Sequence, residues 1–221
     1  MSILARSHLL ALIAIPLCLA LPARADLDPV IQAIDAFALE QDIDDTNPLW
    51  RVKLARPPQL EFDADKTYYW TLETDVGDMK FELFPDIAPM HVSNLIYLTR
   101  LGFYDGLFFH RIVRGFVAQS GDPLGNGKGG PGYLLDGEFT KEGKGRHRKP
   151  GVLSAANAGP GTDGSQFFIT FKTVKQLDGK NTVYGRLVEG KDTLRALDKA
   201  GSSKGTPKKR IEIIEASVSV E

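Results

Sequence analysis

The chain has 221 residues with 27 basic and 28 acidic side chains, and a net charge of −1 favours neither nucleic acid nor an anionic membrane surface as a partner. Its single cysteine, Cys18, excludes an internal disulfide and a cysteine-built metal site. The length suits one sizeable domain with a small appendage.

Residues 1–25 read as a secretory leader, with a basic residue at Arg6, an apolar run over residues 9–21 and a small-x-small site at Ala23-Arg24-Ala25. The run is interrupted by Pro16 and Pro22, and it is shorter than the roughly 18 residues a membrane span needs. Leu17 stands before Cys18 where a lipoprotein signal carries a small residue, so lipid attachment is not expected. Cleavage near Asp26 would leave a thiol-free chain of net charge −3, with 25 basic and 28 acidic residues, in the periplasm or outside the cell. No stable membrane insertion is expected after cleavage.

Residues 26–65 form an extension. Asp28 followed by Pro29 is a helix cap and first position, and Val30, Ile34 and Phe37 recur at helical spacing up to Glu40. The acidic stretch Asp42-Ile43-Asp44-Asp45 and the pair Pro57-Pro58 then predict an irregular linker, with the helix expected to pack on the main domain.

The domain proper spans residues 66–221. Tyr68, Trp70 and Leu72 alternate with more polar neighbours, Val76-Gly77-Asp78 is turn-like, and Met79, Phe81 and Leu83 alternate again, which predicts a hairpin. Pro89 opens a helix that sets Val92, Leu95, Ile96 and Tyr97 toward one side and stops at Gly102. Strands are predicted over 107–113, 116–120, 152–156, 166–171, 182–188 and 210–220, with a second helix over 190–199. Many short strands, many glycines and two domain helices favour an all-β fold, a closed antiparallel barrel with helices over its ends.

Some motifs fail on inspection. Residues 125–130 match G-x-G-x-x-G literally, but Asp122-Pro123 precedes them and Pro131-Gly132 follows, so no strand feeds the motif and no helix leaves it. The basic run Lys144-Gly145-Arg146-His147-Arg148-Lys149 reads as a solvated loop. His91, His110 and His147 are widely spaced, and no metal or organic cofactor is expected. A serine hydrolase would need a G-x-S-x-G elbow, which does not occur.

Two segments combine strand-forming residues with polar groups: residues 108–122, FFHRIVRGFVAQSGD, and residues 153–169, LSAANAGPGTDGSQFFI. On spacing alone, they read equally as ordinary strands carrying a structural arginine. They resemble the two signature stretches of cyclophilins, F-H-R-I-x-x-G-F-x-x-Q-x-G-D and A-N-A-G-P-x-T-x-G-S-Q-F-F-I, in the family's order. Leu177-Asp178-Gly179-Lys180 follows at the family's distance. The resemblance runs from about residue 66 to the C-terminus and implies an eight-stranded antiparallel barrel capped by two helices. It also implies cofactor-free peptidyl-prolyl cis–trans isomerisation of unfolded or partly folded, proline-containing polypeptides, by a monomer.

Carried over by position, the resemblance makes Arg111 the catalytic arginine and Phe116, Val117, Phe168 and Leu177 the walls of a proline pocket. Gln119, Ala156 and Asn157 would hold the substrate backbone. His110 would lie beside the site, although a histidine on an apolar strand is more often a structural hydrogen-bonder. The sequence departs from many eukaryotic members at Gln176, where they carry tryptophan, and at Asn181, where they carry histidine; both would lie at the pocket rim and bear on ligand preference. A holdase that binds peptides with little catalysis is the competing reading.

Overall fold

The computed structural model describes residues 28–140 and 143–221, so the leader expected over residues 1–25 lies outside the described residues. The extension begins with α1 (Pro29–Leu39). As the sequence predicts, Asp28 caps it, its Oδ1 accepting the Val30 amide at 2.9 Å with Pro29 in the first turn. The other carboxylate oxygen of Asp28 meets Lys66 Nζ at 2.6 Å, tying the start of the helix to the start of the domain. Asp28→Ala is expected to lower stability by about 1 kcal/mol. Asp28→Asn, which keeps the cap, should lose less, and urea midpoints of the two variants check this.

The domain contains β1 (Tyr68–Thr74), β2 (Gly77–Leu83), α2 (Pro89–Arg100), β3 (Arg111–Val113) and β4 (Val117–Ser120). It continues with β5 (Val152–Ala155), β6 (Phe167–Thr170), β7 (Val183–Glu189), α3 (Lys191–Ala200) and β8 (Ile213–Val220). The strands form one sheet in the order β3-β4-β6-β5-β7-β2-β1-β8, and every ladder is antiparallel. β3 and β8, at its two ends, share no ladder. A bridge between Phe108 and Glu212, with Gly106 N–H donating to the Ile213 carbonyl at 2.8 Å, joins the chain just before each of them. Ile213 N–H also donates to the Leu107 carbonyl at 2.7 Å and Phe109 N–H to the Ile211 carbonyl at 3.0 Å, so the sheet is a curled eight-stranded antiparallel one whose ends are joined by a few backbone hydrogen bonds and no ladder, where a closed barrel was expected.

The alternation that marks the hairpin is the one that fills the core. Tyr68, Trp70 and Leu72 of β1 and Met79 and Phe81 of β2 are fully buried, in register as Trp70–Phe81 and Leu72–Met79. Trp70 anchors the interior edge-on to Tyr104 and Phe167, with its indole N–H donating to Thr99 Oγ1 at 2.9 Å.

The reading of α2 needs correction: its residues from Met90 to Thr99 are all buried, not one side of them. The extension covers part of the helix, Tyr97 included. Phe37 of α1 packs edge-on against Tyr97 with ring centroids 5.4 Å apart, and Asp35 forms a two-pronged ion pair with Arg100 at 2.7 Å. Farther along, the Leu60 amide donates to Ser93 Oγ at 2.8 Å, and Arg51 reaches the carbonyls of Phe103 and Asp105. No helix among the described residues is long and apolar enough to cross a membrane.

The first turn of α2 is satisfied from a distance. Ala88 at its cap position offers no side-chain acceptor, and Glu138 accepts the Met90 and His91 amides at 3.0 and 2.8 Å instead. The buried His91 ring lies between two carboxylates, with Nδ1 2.6 Å from Glu138 and Nε2 2.8 Å from Asp163. Carboxylates only accept, so both ring nitrogens donate and the imidazole is held as a cation. Burial opposes the charge, but the two carboxylates outweigh it and raise the His91 pKa above its ordinary value.

Candidate active site

The strand register assembles the site. Arg111 on β3 stands opposite Gln119 on β4, and Gln119 opposite Phe168 on β6. Directly paired residues share a face of the sheet, so these three side chains form one row across it. The intervening row, Ile112–Ala118–Ile169–Leu153, is wholly buried in the core. Strand periodicity therefore places the polar and aromatic row on the outside of the sheet.

A cleft of about 400 Å³ opens over this row. Arg111, Phe116, Val117, Gln119, Ala156, Asn157, Phe168, Leu177 and Asn181 all line it, so the structure brings together nine of the residues singled out in the sequence. Val117 and Phe168 are buried, Phe116 and Leu177 half-buried, and Arg111 lies exposed at the lip. Ile112, next to Arg111, donates its amide to the Gly205 carbonyl at 2.8 Å. Gly205 has φ +92°, and a Cβ there would come within 3.2–3.4 Å of the arginine stem, so a glycine lets this turn support Arg111 closely. The Arg111 side chain makes no hydrogen bond or ion pair with a described residue, and its donors face the cleft unspent.

Gln119 is oriented by a relay. Its Nε2 donates to Gln166 Oε1 at 2.8 Å, and Gln166 Nε2 donates to the Gly129 carbonyl at 2.8 Å. The Gln119 carbonyl oxygen is left to accept a peptide N–H. Across the cleft, Asn157 Nδ2 donates to the Lys180 carbonyl at 3.1 Å and Asn181 Nδ2 to the Ala155 carbonyl at 3.0 Å. Asn181 thereby fixes the segment carrying Leu177 against β5, and it is buried rather than presented at the rim.

Residues 69–218 match the family described as cyclophilin type peptidyl-prolyl cis-trans isomerase/CLD. The chain belongs to the cyclophilin family. A Helicobacter pylori protein named peptidyl-prolyl cis-trans isomerase is 44% identical over 139 residues, which are 63% of this chain and 83% of that one. Peptidyl-prolyl cis-trans isomerase cypE of Dictyostelium discoideum is 42% identical over 150 residues, 66% of this chain and 95% of its own. Peptidyl-prolyl cis-trans isomerase-like 2 of Cryptococcus neoformans is 39% identical over 171 residues, and the chain spans only 30% of that relative's length. A cyclophilin of Cryptosporidium parvum, solved in the presence of the dipeptide Ala-Pro, superposes with a TM-score of 0.64 at 37% identity, covering 68% of this chain and 98% of that one.

Two of the candidate residues do not line the cyclophilin cleft. Gln176 is exposed on the single turn Lys175–Leu177, with Leu177 rather than Gln176 turned into the cleft. His110 is half-buried, and neither ring nitrogen has a hydrogen-bond partner, so it is not the structural hydrogen-bonder its setting suggests. Burial pushes its pKa below the ordinary value.

Other contributors are absent from the sequence reading. Phe139 adds an exposed aromatic wall, and its position in a glycine-containing loop was the only available signal. His147, hidden within the basic run, is fully buried. It stacks on Phe168 with ring centroids 5.7 Å apart and bonds Asp178 at 3.1 Å and Ser154 Oγ at 3.0 Å. It positions both the aromatic wall and the residue after Leu177.

A second cleft, of about 700 Å³, shares Gln119, Ala156 and Asn157 with the first. One wall is the loop containing residues 125–130, whose amides at Leu124, Asn126 and Gly127 donate to Asp122. A Cβ at Gly129 would collide with that carboxylate, which accounts for this glycine without any dinucleotide.

Proposed function

We infer that this protein is a peptidyl-prolyl cis–trans isomerase, and that it acts on exported polypeptides. The observation that carries the reading is an unpaired guanidinium, Arg111, at the lip of an apolar cleft walled by Phe116, Phe168 and Leu177. The Ala-Pro dipeptide present with the Cryptosporidium relative supports a proline-containing ligand for the same cleft.

Amide resonance locks the X-Pro bond, whose uncatalysed isomerisation takes tens to hundreds of seconds. No covalent bond breaks. When the bond twists, the imide nitrogen regains its lone pair and becomes a hydrogen-bond acceptor, which it is not in the planar ground state. A guanidinium fixed near that nitrogen binds the twisted state better than the substrate, and arginine stays charged throughout. The aromatic and leucine walls grip the pyrrolidine ring while the acyl side turns. Gln119 Oε1 and the chain around Asn157 orient the flanking peptide.

The export part rests on the leader-like residues 1–25 and on a chain that carries no cysteine beyond Cys18. One preparation tests both parts. The full coding sequence expressed in a bacterium should yield a periplasmic protein whose mass begins near Asp26. That protein should accelerate cis–trans exchange of an Ala-Pro peptide in NMR exchange spectroscopy, equally with and without chelator. Exchange no faster than in buffer would overturn the isomerase reading, and a cytoplasmic, uncleaved product would overturn export.

A further inference from the structure

A third concavity, of about 1090 Å³, shares no lining residue with either cleft. Its floor is apolar, formed by Phe84, Val152 and Val183, a small hydrophobic cluster separate from the main core, with Leu187 and Leu194 beside them. Its rim is basic. The connection over residues 143–150 contributes Lys144, Arg146, Arg148 and Lys149. Facing them, β7 and α3 contribute Arg186, Lys191 and Arg195. The only acid among the described lining residues is Asp198, whose Oδ1 is already engaged by the Gly115 amide at 2.6 Å. The basic run that reads in the sequence as a solvated loop is therefore half of a rim, folded down by its buried His147.

Four of these seven cations, Lys144, Arg148, Arg186 and Arg195, pair with Asp86, Asp178, Glu82 and Asp192, none of which lines the groove, and the other three have no ion pair with a described residue. Lys149 and Lys191 are exposed, and neither forms an ion pair with a described residue. The Nε of Arg146 is shielded from water without a hydrogen-bond partner. Lys144 and Arg186 lie 5.2 and 5.9 Å from the Phe84 ring centre, and their partners Asp86 and Glu82 belong to solvent-exposed pairs of the kind that contribute little.

We propose that this groove docks an acidic segment of another polypeptide, one that places large apolar side chains on the floor while its carboxylates meet the rim. Charge complementarity selects the sign of the partner, since seven cations surround the groove in a chain that is slightly acidic overall. The floor selects its class. A concave apolar surface accepts protruding side chains, whereas a bilayer surface or a phosphate backbone would engage the cations and leave the floor uncovered. Docking here leaves the Arg111 cleft open.

Fluorescence anisotropy with the full chain tests the proposal, using a labelled synthetic peptide that alternates glutamate with leucine. A glutamate–serine peptide of equal charge, a single-stranded oligonucleotide and phosphatidylglycerol vesicles serve as competitors. The glutamate–leucine peptide should bind, weaken with added salt, and outcompete the serine peptide about tenfold or more. The double variant Lys149→Glu with Lys191→Glu should weaken it about tenfold or more with an unchanged melting temperature. That folding control stands apart from isomerisation, so the result does not depend on the isomerase reading. Absent binding, equal binding of the serine peptide, tighter binding of oligonucleotide or vesicles, or indifference to the double variant would each overturn it.

Discussion

Arg111→Ala is expected to slow isomerisation of an Ala-Pro peptide far more than it weakens binding of that peptide. A charged hydrogen bond contributes about 1.5–3 kcal/mol, so if it forms mainly in the twisted state the rate falls roughly 10- to 150-fold. The side chain is exposed and makes no bond with a described residue, so its loss should leave the melting temperature almost unchanged. Exchange spectroscopy for turnover and calorimetry for binding separate the two effects. Equal losses in both would make Arg111 a uniform binding residue and favour the holdase reading.

His91→Leu acts on stability instead, and strongly. The substitution leaves Asp163, 1% exposed, and Glu138 facing an apolar side chain. Breaking such a buried pair by removing one partner costs about 3–5 kcal/mol, readable as a lowered urea midpoint. The pH dependence identifies the cause. Because the folded pKa of His91 is raised, its contribution is complete below the unfolded value of about 6.5 and is lost as pH rises through the folded value. Burial disfavours the Glu138 carboxylate, but the His91 contact and the two α2 amides outweigh it and lower its pKa. Its contribution is present above about 4.5 and is lost as pH falls through the folded value. Wild-type stability from this cluster should therefore peak between about pH 4.5 and 6.5, and the alkaline decline should disappear in His91→Leu. A stability difference that did not change with pH would refute a charged His91.

Much of this architecture is legible locally. Asp28 and Pro29 announce α1, and the period-two pattern of Trp70, Leu72, Met79 and Phe81 announces both the hairpin and its buried face. The site is legible in part. Residue types along 108–122 and 153–169 mark strands with polar intrusions, but no spacing says that Gln119 stands opposite Phe168, because register between distant strands is set by the folded sheet. The family resemblance supplied that juxtaposition. Long-range partners were invisible for the same reason: Glu138 capping α2 and His147 stacked under Phe168, while the extension was expected to pack on the domain with no sign that α2 is the element it meets. His147 was masked by four cationic neighbours, of which Lys144, Arg148 and Lys149 are exposed while its own side chain turns inward.

The short strand β3 carries Arg111 at one end of the sheet order, where an outward edge would ordinarily be bare. Here that edge is occupied: Ile112 N–H donates to Gly205, Ser202 N–H donates to Ile112, and Arg114 N–H donates to Ser202. Under the proposed function the protein would meet extended chains, and any free edge invites an incoming segment to pair as an extra strand. With its backbone groups already spent on the 202–205 turn, β3 offers a visiting polypeptide side chains to grip and no ladder to join, which under the proposed isomerase function would let each client leave once its proline has turned.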